Sequence, residues 1–278
     1  MLLLGIDTAT RVGSVGLVRA AIEHGAVLHP EPGRVAEGCV LLAEVTRDTG
    51  LGHGTELLPM IDECLARAEV SLEEVGCIGV SLGPGSFTGL RVALATAKGL
   101  TLGGATALIG VPTLTALAAT VLPGWGFDPP TSLAPSGTLI APCLDARKGE
   151  VYGATFLVRD PAWTEPLPRL QRTSEDAAFA PDAFLAALAD QCRADMHVLL
   201  LGDGTTRYAR EIAAPLADRA TVLSLESRPP SGAVVARTAA GMLAENGPDD
   251  RAALVPRYAR ASEAEILRAR RGADTAHR

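Results

Sequence analysis

Val75-Gly76-Cys77-Ile78-Gly79-Val80-Ser81-Leu82-Gly83-Pro84-Gly85-Ser86-Phe87-Thr88-Gly89-Leu90-Arg91 is the stretch on which the reading of the fold turns. Its first seven residues are a short apolar run with β-branched members, and residues 92–100 continue at helical spacing. The chain therefore passes from strand to helix inside the glycine-rich piece. Gly83 and Gly85 permit positive φ and close backbone approach, Pro84 fixes one φ between them, and Ser86 is a good N-cap. A helix that starts this way points free N–H groups beyond the strand ends, where an anion or phosphate is stabilised. The alternative is a tight loop that binds nothing, since the lysine of the P-loop pattern is missing.

Outward from that turn, one pattern occurs twice. Residues 2–6 are apolar and close on Asp7-Thr8-Ala9-Thr10, after which residues 12–18 alternate as a returning strand. Asp7 stands where open α/β sheets place ligand groups, and it fits equally an Asx-turn on the backbone of Ala9. Far downstream, residues 139–144 are apolar, Asp145-Ala146-Arg147-Lys148-Gly149-Glu150 is a charged turn, and residues 151–158 form a second strand. Strand, terminal aspartate, turn and strand thus recur, which suggests an internal duplication.

Between and beyond the repeats the pattern is mixed. Residues 20–37 read as a loop or weak hairpin before a strand at 39–45. Leu57, Ile61, Cys64, Leu65 and Ala68 predict an amphipathic helix over 57–68, with Thr55 as cap and Pro59 in its first turn. His53, in a glycine-flanked loop, reads as a surface or turn residue. Gly89, Ala93, Ala97 and Thr101 recur at steps of four. This stripe of small side chains either seats the helix on the protein's own sheet or admits another helix. A strand at 107–111 and a short helix at 112–122 precede a proline- and glycine-rich break at 123–137, placed near a domain boundary. Residues 159–176 read as loop, 183–192, 208–216 and 231–245 as helices, and 197–201 as a strand before the tight turn Gly202-Asp203-Gly204. An extended piece follows Pro256, and residues 261–278 form a charged, frayed tail.

Composition sets limits. With 278 residues, 47% hydrophobic and 21% charged, the chain suits a soluble globular protein of one large or two smaller domains. A net charge of −7 and 4% aromatic residues argue against a broad nucleic-acid surface, so an RNA role requires a partner that holds the RNA. The five cysteines are scattered without zinc-site spacing and read as free thiols of a reducing compartment. With no basic leader and no apolar segment of about 18 residues, the expectation is a cytoplasmic protein with no membrane contact.

Ile6-Asp7-Thr8-Ala9-Thr10, His53 with Leu57-Leu58-Pro59, the Gly83 to Arg91 turn, Ile109-Gly110-Val111 with Thr113-Leu114, and Leu144 to Tyr152 occur in one order over the first 155 residues. In these the chain resembles the TsaB (YeaZ) family of tRNA threonylcarbamoyladenosine biosynthesis. Beyond residue 160 the likeness is limited to Gly202-Asp203-Gly204 and Pro256-Arg257-Tyr258-Ala259-Arg260. The resemblance implies an α/β, actin-like ATPase (ribonuclease H-like) fold of two tandem domains with mixed sheets flanked by helices. The domains are placed at residues 1–111, joined by the helix at 231–246, and at 112–230.

By the same resemblance the protein is a non-catalytic subunit. Its partners are homologues of TsaD, which transfers the threonylcarbamoyl group to the adenosine beside the anticodon, and TsaE, which hydrolyses ATP. It is a homodimer without them, and tRNA is reached only through the complex. TsaD carries a metal-binding histidine pair one helical turn apart after an Ile-Gly-Val strand, where this chain has Thr113 and Leu117. Leucine cannot ligate a metal, so no metal and no catalytic residues are expected. Asp7, Gly83, Gly85, Ser86 and Asp145 make a vestigial nucleotide site with at most weak ATP or ADP binding. Leu57, Ile61, Leu65, Gly89, Ala93, Ala97 and Thr101 are expected at the partner interface. The alternative is an ATP-binding phosphotransferase using the two aspartates and the central turn.

Overall fold

The computed structural model describes residues 1–23, 26–27, 39–50, 52–122, 136–159, 170–193, 196–212, 214–223 and 230–260. The expectations for residues 123–135 and 261–278 lie outside them. The first half comprises β1 (Leu2–Asp7), β2 (Val12–Ala20), a ribbon of β3 (Ile22–Glu23) and β4 (Ala26–Val27), β5 (Cys39–Asp48), α1 (His53–Arg67), β6 (Val75–Gly83), α2 (Phe87–Leu100) and β7 (Ala107–Pro112). Its sheet runs β5-β2-β1-β6-β7, antiparallel through β5, β2 and β1 and parallel across β1, β6 and β7.

The second half follows the same plan. After α3 (Thr113–Ala119) come β8 (Leu139–Arg147), β9 (Glu150–Gly153), β10 (Phe156–Val158), β11 (Leu170–Arg172), β12 (Ala177–Phe179), α4 (Pro181–Gln191), β13 (Val198–Leu201), α5 (Asp203–Arg207), α6 (Ala209–Ile212), β14 (Ala220–Leu223) and α7 (Gly232–Asn246). β8 takes antiparallel partners on one side and the parallel strands β13 and β14 on the other.

Three readings need correction. Residues 151–158 form two strands, because Thr155 leaves the ladder: its N–H and hydroxyl both donate to Ser174 Oγ, at 2.8 and 2.9 Å. β9 then pairs with β12 and β10 with β11, so 159–176, read as loop, supplies a strand. The helix predicted at 208–216 is reduced to α6 and the beginning of a 3₁₀ segment at Ala214–Arg219, and a separate short helix, α5, starts inside the expected Gly202-Asp203-Gly204 turn.

Alternation along the strands divides the interior into three cores. Leu4, Ile6, Val15, Leu17, Ile78 and Val80 face α1 and α2. Leu3, Val18, Cys77 and Ile109 face the other way, meeting α3, α7 and Ile140, Leu199 and Leu201 of the second sheet. Leu139, Ala141, Cys143, Val198 and Leu200 pack against Phe184 and Leu188 of α4. Helices and sheets therefore alternate, with α3 and α7 between the sheets. Each fully buried side chain of this size contributes about 1.5–3 kcal/mol.

α7 lies in the middle because three glycines make room for it. Gly5 is in register with Gly16 on one side and Gly79 on the other, a trough across three strands. A Cβ at Gly16 would stand 2.2 Å from Ala233 N, and one at Gly5 would stand 1.9 Å from Gly232 O. The helix start is fixed by Glu44, whose Oε1 accepts from Ser231 Oγ at 2.8 Å and from Ala233 N at 3.1 Å. All five cysteines are free thiols, and burial pushes those of Cys77 and Cys143 up to about 12. Among the described residues no helix is long and apolar enough to cross a membrane.

Candidate functional site

The strand ends β1 and β6 meet at the central turn. Asp7 is buried; its Oδ1 accepts from Ala9 N at 2.9 Å and its Oδ2 from the Ser81 hydroxyl at 2.6 Å. Desolvation raises its pKa, and these two hydrogen bonds oppose the rise. Ser86 caps α2 through Gly89 N, at 3.2 Å, while its own N–H donates to the Ala9 carbonyl at 2.6 Å. Gly83 N donates to Thr113 Oγ1 at 3.0 Å. The N–H groups of Gly83, Ser86 and Gly89, expected to face an anion, are thus taken by protein acceptors. The turn is also covered: the segment 256–260 crosses it, with Arg257 N on the Leu82 carbonyl at 2.7 Å. A Cβ on Gly83, whose φ is +119°, would lie 2.3 Å from Arg257 O, and one on Gly85 would lie 2.5 Å from Ala9 O.

The second turn is open and charged. Asp145 Oδ1 accepts from Arg147 N at 2.9 Å, and its Oδ2 lies 3.2 Å from Arg207 Nη1 and 3.6 Å from Arg147 Nη1. Asp203 Oδ1 accepts from Asp145 N at 2.9 Å, and burial, seconded by the nearby Asp145, raises the Asp203 pKa. Arg147 and Lys148 both adopt positive φ, at +64° and +54°, a conformation that costs a non-glycine residue about 1–2 kcal/mol. They stand exposed at the hairpin tip.

Between the halves lies a cavity of about 10 Å³ lined by Asp7, Thr10, Thr113, Leu117, Leu144 and Ser231, among others. That is room for about one water. The structure therefore gathers Asp7, Gly83, Gly85 and Ser86 at one turn and holds Asp145 at another. Thr113 and Leu117 line the space between the halves. Among the described residues no group of three or more His, Cys, Asp or Glu is placed to hold a metal ion.

The family profile described as "TsaD: tRNA N6-adenosine threonylcarbamoyltransferase" matches residues 47–267. The chain belongs to this family, in its TsaB (YeaZ) branch. It is 35% identical over 104 residues to the Escherichia coli tRNA threonylcarbamoyladenosine biosynthesis protein TsaB, a match covering 37% of this chain and 41% of that one. To the Bacillus subtilis protein of the same name it is 26% identical over 268 residues, 95% of this chain and 96% of that one. A Pseudomonas aeruginosa crystal structure, of a protein with similarity to peptidase YeaZ, superposes with a TM-score of 0.66 at 22% identity, covering 93% of this chain and 99% of that one. That likeness is one of fold, and the two mixed sheets flanked by helices are what this chain shares with it.

Against the TsaB expectation for the interface, Leu57, Ile61, Leu65, Gly89, Ala93, Ala97 and Thr101 are all buried in the chain's own interior. The stripe is a seat for α2: Thr101 Oγ1 donates back to Ala97 O at 3.0 Å, and a Cβ on Gly89 would lie 2.1 Å from Thr8 O. The solvent side of the same helices carries Leu58, 52% exposed, with Ala95 and Gly99, and Leu102, 81% exposed, just past the end of α2. His53 also departs from its reading. It is buried at the first position of α1, its Nδ1 2.7 Å from Thr49 Oγ1. The Thr49 hydroxyl also lies 3.1 Å from the Arg11 carbonyl, and His53 Nε2 is buried without a hydrogen-bond partner among the described residues.

Sequence reasoning missed the clamp on the central turn. Arg91 Nε donates to Tyr258 Oη at 2.8 Å, the Phe87 and Tyr258 rings stack at 5.3 Å, and Arg260 pairs with Glu150 at 3.0 Å. These partners are more than a hundred residues apart, and no local spacing announces them.

Proposed function

We propose that this chain is the non-catalytic partner subunit of a cytoplasmic complex with homologues of TsaD and TsaE. That complex forms threonylcarbamoyladenosine on the adenosine beside the anticodon of tRNA. The observation that carries the reading is the junction of β7 and α3. There Thr113 spends its hydroxyl on Gly83 N–H and Leu117 offers only hydrocarbon. The resemblance to TsaD puts metal-binding histidines at these positions, and neither residue does that work. The phosphotransferase reading has less support, since the N–H groups of Gly83, Ser86 and Gly89 have protein acceptors and the cavity beside Asp7 is of water size.

The docking surface is the solvent side of α1 and α2, where Ala95 and Gly99 let a partner helix approach between Leu58 and Leu102. A TsaD homologue takes that surface, and a second copy of the chain takes it when the partner is lacking. Co-purification with the two homologues, followed by a tRNA modification assay leaving out each protein in turn, is the test. The expected result is modification only with all components and none by the chain alone. Full activity without the chain, or no association, overturns the proposal. Ala95→Trp should weaken association about tenfold, or about 1.4 kcal/mol, with the fold intact by circular dichroism.

A further inference from the structure

The chain is acidic as a whole, yet its cations are not evenly spread. Around the two turns stand Arg91, Arg147, Lys148, Arg207, Arg257 and Arg260, against the carboxylates Asp7, Asp145, Glu150 and Asp203 of the same turns. The connection is continuous. Arg91 bonds Tyr258, Arg257 and Arg260 flank that tyrosine, Arg260 pairs with Glu150, Glu150 lies opposite Arg147 in the hairpin, and Arg207 shares Asp145 with Arg147. Six cations against four carboxylates, one of them the buried Asp7, give the two turns a formal surplus of two, while the whole chain carries −7.

Aromatic rings sit inside the rim. Phe87 is 48% and Tyr258 43% exposed, the two aromatic residues among the described large exposed apolar side chains. They are held in place: their centroids are 5.3 Å apart at an interplanar angle of 29°, and the Arg91 guanidinium lies 3.8 Å from the Phe87 centroid. Arg91 uses Nε for Tyr258, and no carboxylate pairs with Arg91 or Arg257 among the described residues. The backbone of Arg257 is anchored to Leu82 at 2.7 Å, so the exposed side chain starts from a fixed point.

From this arrangement we infer that the rim around Phe87, Arg91, Arg257 and Tyr258 is a contact site for RNA. The arginines take phosphodiester oxygens, and the rings take an unstacked base of a single-stranded loop. Prearranged rings beside guanidinium groups are what such a loop uses. A phosphodiester chain requires cations not already neutralised by carboxylates, and Arg91 and Arg257 offer two beside the rings. The inference rests on the proposed role in a tRNA-modifying complex and adds that this subunit touches the RNA itself. The small net surplus explains why the contact matters within an assembly, where other subunits hold the rest of the RNA.

The test uses the complex assembled from the full chain and its TsaD and TsaE homologues, with unmodified tRNA in filter binding at two salt concentrations. Arg257→Gln and Tyr258→Leu are compared with wild type, and Arg19→Gln, at the opposite end of the β1–β2 hairpin, is the control. Assembly is followed by sedimentation. The expected result is intact assembly with about fivefold or greater loss of tRNA affinity for Tyr258→Leu. For Arg257→Gln the slope of log affinity against log salt falls by about one, and the control does not change. Intact assembly with unchanged tRNA binding overturns the inference and leaves the proposed function standing. Loss of assembly in the two variants makes the patch a protein interface and also overturns it. Failure of the wild-type chain to assemble sinks the proposed function, and this inference with it.

Discussion

Asp7 and Asp145 close the same kind of turn in the two halves of the molecule, and although both carboxylates are largely covered, their partners differ. Asp7 is buried, its two oxygens satisfied by the uncharged donors Ala9 N and Ser81 Oγ, and backbone packs against its turn from α2 and from the 256–260 segment. Asp145 answers to two guanidinium groups at an open hairpin, where a Cβ added to Gly149 would meet nothing within 4 Å. A duplicated motif has thus been turned into a structural joint in one half and a charged rim in the other. The difference lies in what packs above each turn, because the strand-aspartate-turn-strand pattern is common to both.

The most forceful way to break the comparison is to add bulk at each turn. Gly89→Val places carbon about where Thr8 O stands, with backbone on the receiving side, and should cost at least about 3 kcal/mol. At about 2–4 °C per kcal/mol the loss is readily seen in a thermal melt. Gly149→Ala meets no atoms and has only its φ of +81° to oppose it, so about 1 kcal/mol is expected. Equal losses at both turns would erase the contrast.

Ala97→Trp asks whether the packed half includes the small-residue stripe. Ala97 is fully buried between α2 and the sheet, so the variant should lose about 1–3 kcal/mol or more of folding stability by chemical denaturation. A stable variant that fails only to associate would return the stripe to an interface.

pH sharpens the comparison further. Burial raises the folded-state pKa of Asp7 above its unfolded value. A carboxyl shifted upward contributes stability that is fully present below the unfolded pKa and is lost as pH rises through the folded one. Asp7→Asn removes this dependence. The melting temperature of the variant relative to wild type should therefore be highest near neutral pH and fall as the solution is acidified toward the ordinary carboxylate range. A difference that does not vary with pH would show that the carboxyl is not perturbed.

The smallest effect is expected at the open turn. Asp145→Asn keeps an acceptor for Arg147 N and loses the pairing of a largely covered carboxylate with two exposed arginines, for a cost of about 1 kcal/mol that shrinks in part in high salt. Melts at two salt concentrations measure it. A larger, salt-independent loss would mean that the second turn is as structural as the first.

Much of this architecture was legible. Apolar runs ending on aspartate marked both hairpins, Ser86 marked the start of α2, and the step-of-four apolar residues from Leu57 marked α1. Asp7 accepting from Ala9 was one of the two readings open for it, and the structure shows that hydrogen bond. Less legible were the pieces whose state depends on distant chain. The break between β9 and β10 needs Ser174, and the burial of His53 needs Thr49 and the packing of α1 against α2. Small residues at steps of four are compatible with either an internal or an external neighbour, so the stripe on α2 stayed ambiguous until its neighbour was seen.

The sequence by itself determined the local conformations, because periodicity, caps and turn residues act within a few positions of one another. It also determined, through the TsaB motifs, which family the chain belongs to. Tertiary structure alone decided which side of each helix meets solvent, that Gly5, Gly16 and Gly79 align into a trough for α7, and that Tyr258 returns to Phe87 and Arg91. Contacts of that kind join residues from 11 positions apart, Gly5 with Gly16, to 227, Gly5 with Gly232. They are set by the register of strands and the seating of helices, which short-range patterns do not encode.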